Sequence, residues 1–330
     1  MERGECRIGG RTYVLKAVGP EDRDAVIGLF HRVFAETPPA GWWQWKYSPE
    51  GLGGRAMGLW DEDGNLLAHN GGIPRTLLWR DREVSAIQIG DLMVAPQARG
   101  LFTRHGAFFQ VSRFFFKHWV GADKPYAVCF GFTHERAMRL GVTLGLYQQV
   151  GTLDRLVLPA RSGQRSWVWK IRQIRPSTAD FDTLANRAWQ AMRGQNRKGI
   201  LGVRDARHIR SRYAARPAVD YSYFQISRRW PGPSAIAVVR NEGDSLKWLD
   251  FVGPLDLLRT TQNAMQRLAY AAGLAQVEFV ASPEALAGLC SAGLLHREKV
   301  SATALITASA CPDESLAGSA WWMAGDTDFL

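Results

Sequence analysis

The order in which two hydrophobic periods alternate along this chain restricts its fold more than any other feature. A strand-period run at residues 12–18 is followed by residues 20–34, where Val26, Leu29, Phe30, Val33 and Phe34 recur at helical spacing behind an acidic first turn. Residues 56–94 read as three antiparallel strands, with turns at Asp63 and Gly64 and at residues 80–82. A helix with Phe108, Val111, Phe115 and Trp119 along one face, a strand at 126–132 and a helix at 134–145 complete this half. That order is neither the regular alternation of a doubly wound sheet nor the run of strands of a sandwich. It predicts a mixed α/β (α+β) fold with one crossover near the middle.

The remainder repeats the pattern in weakened form. Residues 37–51, rich in Pro, Gly and Trp, are predicted as a loop, and the basic stretch at 156–198, with Trp167, Trp169 and few strand signals, as a connector carrying one or two helices. Beyond it come a strand pair at 234–241 and 246–254, a helix at 258–273, a strand at 276–282, a helix at 284–293 and two final strands. Arg212-Tyr213 shortly before Pro217 echoes Lys46-Tyr47 before Pro49. The expected organisation is a duplicated unit: residues 1–155, the connector 156–198, and a diverged companion at 199–330.

Composition narrows the classes. With 46% hydrophobic and 22% charged residues the chain can build a core. No run of eighteen apolar residues is present to span a membrane, and Met1 to Gly10 lacks the apolar centre of a signal peptide, so a cytoplasmic protein is expected. Cys6, Cys129, Cys290 and Cys311 lie far apart without a paired spacing, which predicts neither a metal site nor a disulfide framework. The net charge of +10 favours polyanionic ligands, nucleotide phosphates and nucleic acid among them. The clusters Trp42, Trp43, Trp45 and Trp321, Trp322 are read chiefly as packing anchors. Asp326 and Asp328 read as a solvated chain end.

The segment that carries chemistry is IQIGDLMVAPQARGLFTRHGAFFQ, a strand joined to a helix through Pro96, Gln97, Arg99 and Gly100. The first N–H groups of a helix lack internal partners and sit at the positive end of its dipole, so a pyrophosphate is expected against the backbone from Gly100 to Arg104. Gly100 permits close approach, while Arg99 and Arg104 neutralise charge. Asp91, three residues before Val94, is the candidate general base and His69 the alternative, because an imidazole titrates in the useful range.

Val94, Pro96, Gln97, Gly100 and Phe102 resemble the acyl-CoA motif of the GNAT acyltransferase superfamily, with a shorter loop and Phe102 in place of a small residue. His134, Ala137, Gly145 and Leu146 resemble its next motif. The resemblance implies a splayed mixed sheet and acetyl-CoA or another acyl-CoA as cosubstrate. Leu92, Met93 and Val94 would offer backbone groups to the pantetheine arm, and Gln97, Arg99, Gly100, Leu101, Phe102, Thr103, Arg104 and His134 would hold the donor. Trp45, Lys46 and Tyr47 would meet the acceptor. Where many members carry the tyrosine that protonates the leaving thiolate this chain has Gly141, and Tyr147 is the nearest phenol. Phe102, Phe108 and Phe109 fit either a longer acyl chain or the core.

The implied reaction is acyl transfer to an amine of a small molecule or amino sugar. An aminoacyl-tRNA-dependent transferase of paired GNAT-like units is the alternative, which an intact CoA loop disfavours, so nucleic acid is not the expected partner. A non-catalytic protein that binds acyl-CoA or a partner is the other, for which Gly141 speaks. No phosphate loop recurs before residue 258, so the companion half is expected to have lost donor binding and to wall the acceptor cleft or serve as an interaction surface.

Overall fold

The computed structural model describes residues 3–100, 103–163, 167–196, 199–289, 294–307 and 319–327. The first half runs β1 (Arg3–Ile8), β2 (Arg11–Ala17), α1 (Arg23–Phe34), α2 (Trp42–Tyr47), β3 (Arg55–Trp60), β4 (Leu66–Trp79), β5 (Arg82–Val94), α3 (Ala107–Trp119), β6 (Val128–Thr133), α4 (Glu135–Thr143) and β7 (Gln148–Pro159). The second runs β8 (Trp169–Ile174), α5 (Phe181–Gln195), β9 (Ile200–Gly202), α6 (Ala206–Ile209), β10 (Ser222–Arg228), β11 (Ser234–Glu242), β12 (Ser245–Val252), α7 (Leu258–Ala271), β13 (Gln276–Ala281), α8 (Pro283–Leu286), β14 (His296–Thr307) and β15 (Ala320–Trp321).

All the strands join one sheet in the order β1-β2-β3-β4-β5-β6-β14-β7-β13-β12-β11-β10-β8, with β9 pairing β4 and β15. The order shows both the duplication and an exchange. The last strand of each half crosses over, β14 pairing β6 and β7 pairing β13, and the two pair with each other at the centre. In each half the crossover joins a parallel pair that soon parts. β5 and β6 run together from Ala86 to Ile89, and β12 and β13 from Ser245 to Trp248. Beyond those residues the strands splay.

Local chemistry explains the elements. Arg80 and Asp81, both at positive φ, make the tight β4–β5 hairpin. α3 buries Phe109, Val111 and Phe115, so its inward stripe is rotated by one residue from the expected Phe108. α1 packs Val26 and Leu29 on the other face of the sheet, with Trp43. Trp43, Trp45, Trp321 and Trp322 are buried packing residues, and Cys129 is a buried cysteine.

The polar segment Arg3–Ile8, for which the sequence carried no element, is a strand, because an edge hairpin needs only one half-buried face. Three expectations are corrected. The tryptophan-rich loop contains helix α2, stabilised by burial of Trp43 and Trp45 rather than by an apolar period. The connector contains a strand, β8, which pairs with β10. Asp326 is not solvated: it is fully buried against Arg75 and Arg204, while Asp328 lies outside the described residues, as do Cys290 and Cys311. Among the described residues no helix is long and apolar enough to cross a membrane.

Candidate active site

The splay of β5 from β6 opens onto a cavity of about 1140 Å³. β5 bulges there: Met93 still pairs with His69 and Gly90 with Gly71, leaving an extra residue between them. Asp91 sits in the bulge with a φ of 49°, a left-handed conformation that costs a non-glycine residue ~1–3 kcal/mol. His69 holds it. The imidazole Nδ1 lies 2.8 Å from the Asp91 carbonyl oxygen, which only accepts, so Nδ1 carries the proton and donates. Burial pushes the His69 pKa down, outweighing the opposing influence of Asp91, and the ring is neutral.

The Asp91 side chain meets α2. Lys46 Nζ is 2.7 Å from Oδ2, and the Tyr47 hydroxyl donates to the same oxygen at 2.5 Å. Lys46 is 2% exposed, so this is a buried ion pair, stable only because each charge has its partner. Tyr47 is fixed by stacking on Trp43 at 4.6 Å and by an edge contact with His69. Gly71 is required beside it, since a Cβ there would lie 2.2 Å from the Tyr47 oxygen.

Of the residues singled out in the sequence, Trp45, Lys46, Asp91, Leu92, Val94, Arg99, Gly100, His134 and Tyr147 line the cavity. His69, Tyr47 and Met93 support it from behind, Met93 with its side chain in the core beneath α1. Gln97, Thr103 and Arg104 are exposed on the β5–α3 junction, and Leu101 and Phe102 lie outside the described residues. The helix after the motif starts at Ala107, with Gly106 at its N-cap, so Gly100, Thr103 and Arg104 precede it instead of forming its first turn. Arg99 Nε donates to the Val94 carbonyl at 2.9 Å, which pins the loop to the end of β5. Gly100 has a φ of 108° and open space about it, a conformation suited to glycine. His134 caps α4, accepting from the Ala137 N–H at 3.3 Å.

Tyr147 accounts for Gly141. The chain turns back through Gly145, and a Cβ on Gly141 would lie 1.9 Å from Tyr147 Cζ. The ring therefore occupies the space that a side chain at 141 would fill. Its hydroxyl donates to the Ala137 carbonyl at 2.9 Å, and burial pushes its pKa up to about 12. Phe108 faces the cavity, whereas Phe109 packs with Leu144 and Leu146.

Sequence reasoning missed the contributions of Asn70, Ser112, Phe30, Trp42 and, from the second half, Arg216 and Ser301. Trp45 ties the halves together, donating from Nε1 to the Ser211 carbonyl at 2.8 Å beneath the guanidinium groups of Arg212 and Arg216. The echo between Lys46-Tyr47 and Arg212-Tyr213 was the one signal for this arrangement.

Residues 15–145 match the family model described as an acetyltransferase (GNAT) domain. Among solved structures, a conserved protein from Enterococcus faecalis V583 described as a probable N-acyltransferase is 12% identical, with 89% of this chain matching 72% of that one at a TM-score of 0.66. A GCN5-related N-acetyltransferase from Kribbella flavida is 18% identical over 89% of this chain and 71% of that one, TM-score 0.61. Saccharomyces cerevisiae N-myristoyltransferase with bound myristoyl-CoA is 12% identical over 88% and 82%, TM-score 0.54. No curated protein matches the chain. The match over residues 15–145 likens that stretch to a GNAT acetyltransferase domain, and the solved structures show that the chain shares their fold.

Proposed function

We propose that this protein transfers the acyl group of an acyl-CoA to an amine of a small molecule or amino sugar in the cytoplasm, with residues 1–155 carrying the donor site and 199–330, joined through 156–198, walling the acceptor cleft. The observation that carries this reading is the cavity at the splay, which joins the β5–α3 loop on one side to the Asp91, Lys46 and Arg216 surface on the other. β5 residues beyond Ile89 have backbone groups with no β6 partner, and these suit the amides of a pantetheine arm. The loop at Gln97, Arg99 and Gly100, with Thr103 and Arg104 following, would hold the pyrophosphate, and His134 would approach from α4.

Asp91 is the group we assign as base, acting through water on the acceptor ammonium. Lys46 and Tyr47 hold one side of its carboxylate, and His69, away from the cavity wall, fixes the bulge and takes a positioning role. Backbone N–H groups at the bulge polarise the thioester carbonyl. Attack by the amine gives a tetrahedral intermediate that expels the thiolate, which takes its proton from solvent or from Tyr147. Trp45 borders the acceptor side.

Calorimetric titration with acetyl-CoA and turnover with an amine panel test the assignment. Gly100→Trp should abolish donor binding, because a side chain there blocks backbone approach to the phosphates; unchanged affinity would remove the loop from the site. Asp91→Asn takes the counter-charge from buried Lys46 and should lower stability; where the variant remains folded, donor binding should persist and turnover slow by about 10²-fold or more. Full activity in that variant would move the base elsewhere.

A further inference from the structure

Part of the cavity lining belongs to the core beneath α3. Strand alternation sends Asn70 to the face opposite His69, the face of its cross-strand partner Met57, in the core beneath α3. Ile89, Phe116 and Cys129 of that core line the cavity, as do Asn70 and Ser112. Asn70 is 0% exposed and Ser112 1%. Among the described residues neither Oδ1 nor Nδ2 of Asn70 nor Oγ of Ser112 has a hydrogen-bond partner. Buried polar groups are nearly always paired, so three unpaired atoms on one cavity wall mark a place where something else completes them.

The chemistry of the pair defines what fits. An amide and a hydroxyl each donate and accept, which matches a neutral group that does both. A carboxylate fits poorly, because none of these wall residues is cationic and a buried charge needs a partner. The position assigns the group to the donor. Asn70 lies between His69 and Gly71, whose β5 partners flank the Asp91 bulge, so it is close to a thioester seated there. It is also on the sheet face away from the one where Asp91 meets the acceptor.

We propose that the acyl group this enzyme carries bears a hydroxyl substituent, bound by Asn70 and Ser112 in the cavity. The proposal rests on the acyl-transfer reading above and names the donor class for it. The test is calorimetric titration of the full chain with butyryl-CoA, β-hydroxybutyryl-CoA, succinyl-CoA and free CoA. The hydroxyacyl donor should bind about tenfold or more tightly than butyryl-CoA, since a site built to hydrogen-bond a hydroxyl discriminates against the analogue without it. Asn70→Leu and Ser112→Ala should bring the two affinities together. Equal affinities in the unaltered protein would mean that water completes the pair and would overturn the proposal while leaving the acyl-transfer reading standing. Tightest binding of succinyl-CoA would overturn it in favour of an anionic substituent. Binding of none of the four would overturn both.

Discussion

The two halves of the sheet part at equivalent places and are completed differently. β5 leaves β6 after Ile89 and β12 leaves β13 after Trp248. Each departing strand bulges against its antiparallel neighbour, and two residues past the last pair each carries a buried aspartate, Asp91 and Asp250. Each aspartate accepts from a tyrosine preceded by a cation: Tyr47 after Lys46, and Tyr213 after Arg212, the latter at 2.7 Å. In the first half the gap is the cavity. In the second, residues 319–327 occupy it: Met323 bridges Ala281, the Ser282 N–H donates to the Trp322 carbonyl at 2.9 Å, and Asp326 and Asp250 clasp Arg204. Arg212, where Lys46 would turn to the aspartate, bonds the carbonyls of Gly325 and Thr327. A splay leaves backbone groups without strand partners, and buried backbone groups must be paired. The chain's own segment does this in one half, and in the other the task falls to the donor proposed above.

The contrast breaks most severely at Arg204. The side chain is fully buried, and although burial alone would lower its pKa, the carboxylates of Asp326 and Asp250 outweigh that and hold it charged. Arg204→Met leaves buried Asp250 without its cation and Asp326 with Arg75 alone, and should cost ~3–5 kcal/mol, read by urea denaturation. Donor affinity measured where the variant remains folded should stay within about twofold, because the clasp serves the filled gap alone. A loss below about 1 kcal/mol would mean that the segment is held by packing and the clasp is incidental.

A smaller effect sharpens the same comparison. Tyr47→Phe and Tyr213→Phe delete equivalent hydroxyls. In the filled half the deletion leaves Asp250 short of a donor in a dry interior and should cost ~1–3 kcal/mol with turnover unchanged. In the open half water from the cavity can replace the hydroxyl, so melting should move less while turnover falls. Indistinguishable behaviour of the two variants in both assays would sink the claim that only one gap works.

Much of this was legible in the sequence because it depends on local periodicity. The order of strands and helices, the hairpins at Gly64 and Arg80, and the strand-to-helix segment around Val94 and Gly100 each follow from contacts close in the chain. The repeated basic-tyrosine pair gave the duplication a residue-level trace. What stayed hidden depends on distant pairing. Nothing local says that β14 inserts between β6 and β7, that Asp326 is buried against Arg75, 251 residues away, or that Tyr147 fills the space over Gly141. Asn70 was passed over because a single asparagine between His69 and Gly71 carries no pattern, and only the sheet's pairing shows which face it takes.

The smallest effect concerns the two histidines that stand on either side of the comparison. His69 is depressed by burial, and His208 is depressed by burial together with the charges of Arg75, Arg204 and Arg212. An unfolded histidine titrates near 6.5, so below that pH the unfolded chain binds protons that the folded chain refuses. The stability each contributes is therefore fully present above pH ~6.5 and is lost as pH falls, by at most ~1.4 kcal/mol per pH unit per histidine until the folded group itself protonates. His208→Gln should flatten this acid limb by about one such slope in denaturation series between pH ~5 and ~7. His69→Gln should flatten it to the same degree if the open half shields its imidazole as fully as the filled half does. A flattening with His208→Gln alone would mean that His69 takes up a proton in the folded protein through the open cavity, widening the difference between the halves. No change from either variant would show that neither gap excludes a charged imidazole, and the distinction between a filled and an open splay would lose its electrostatic basis.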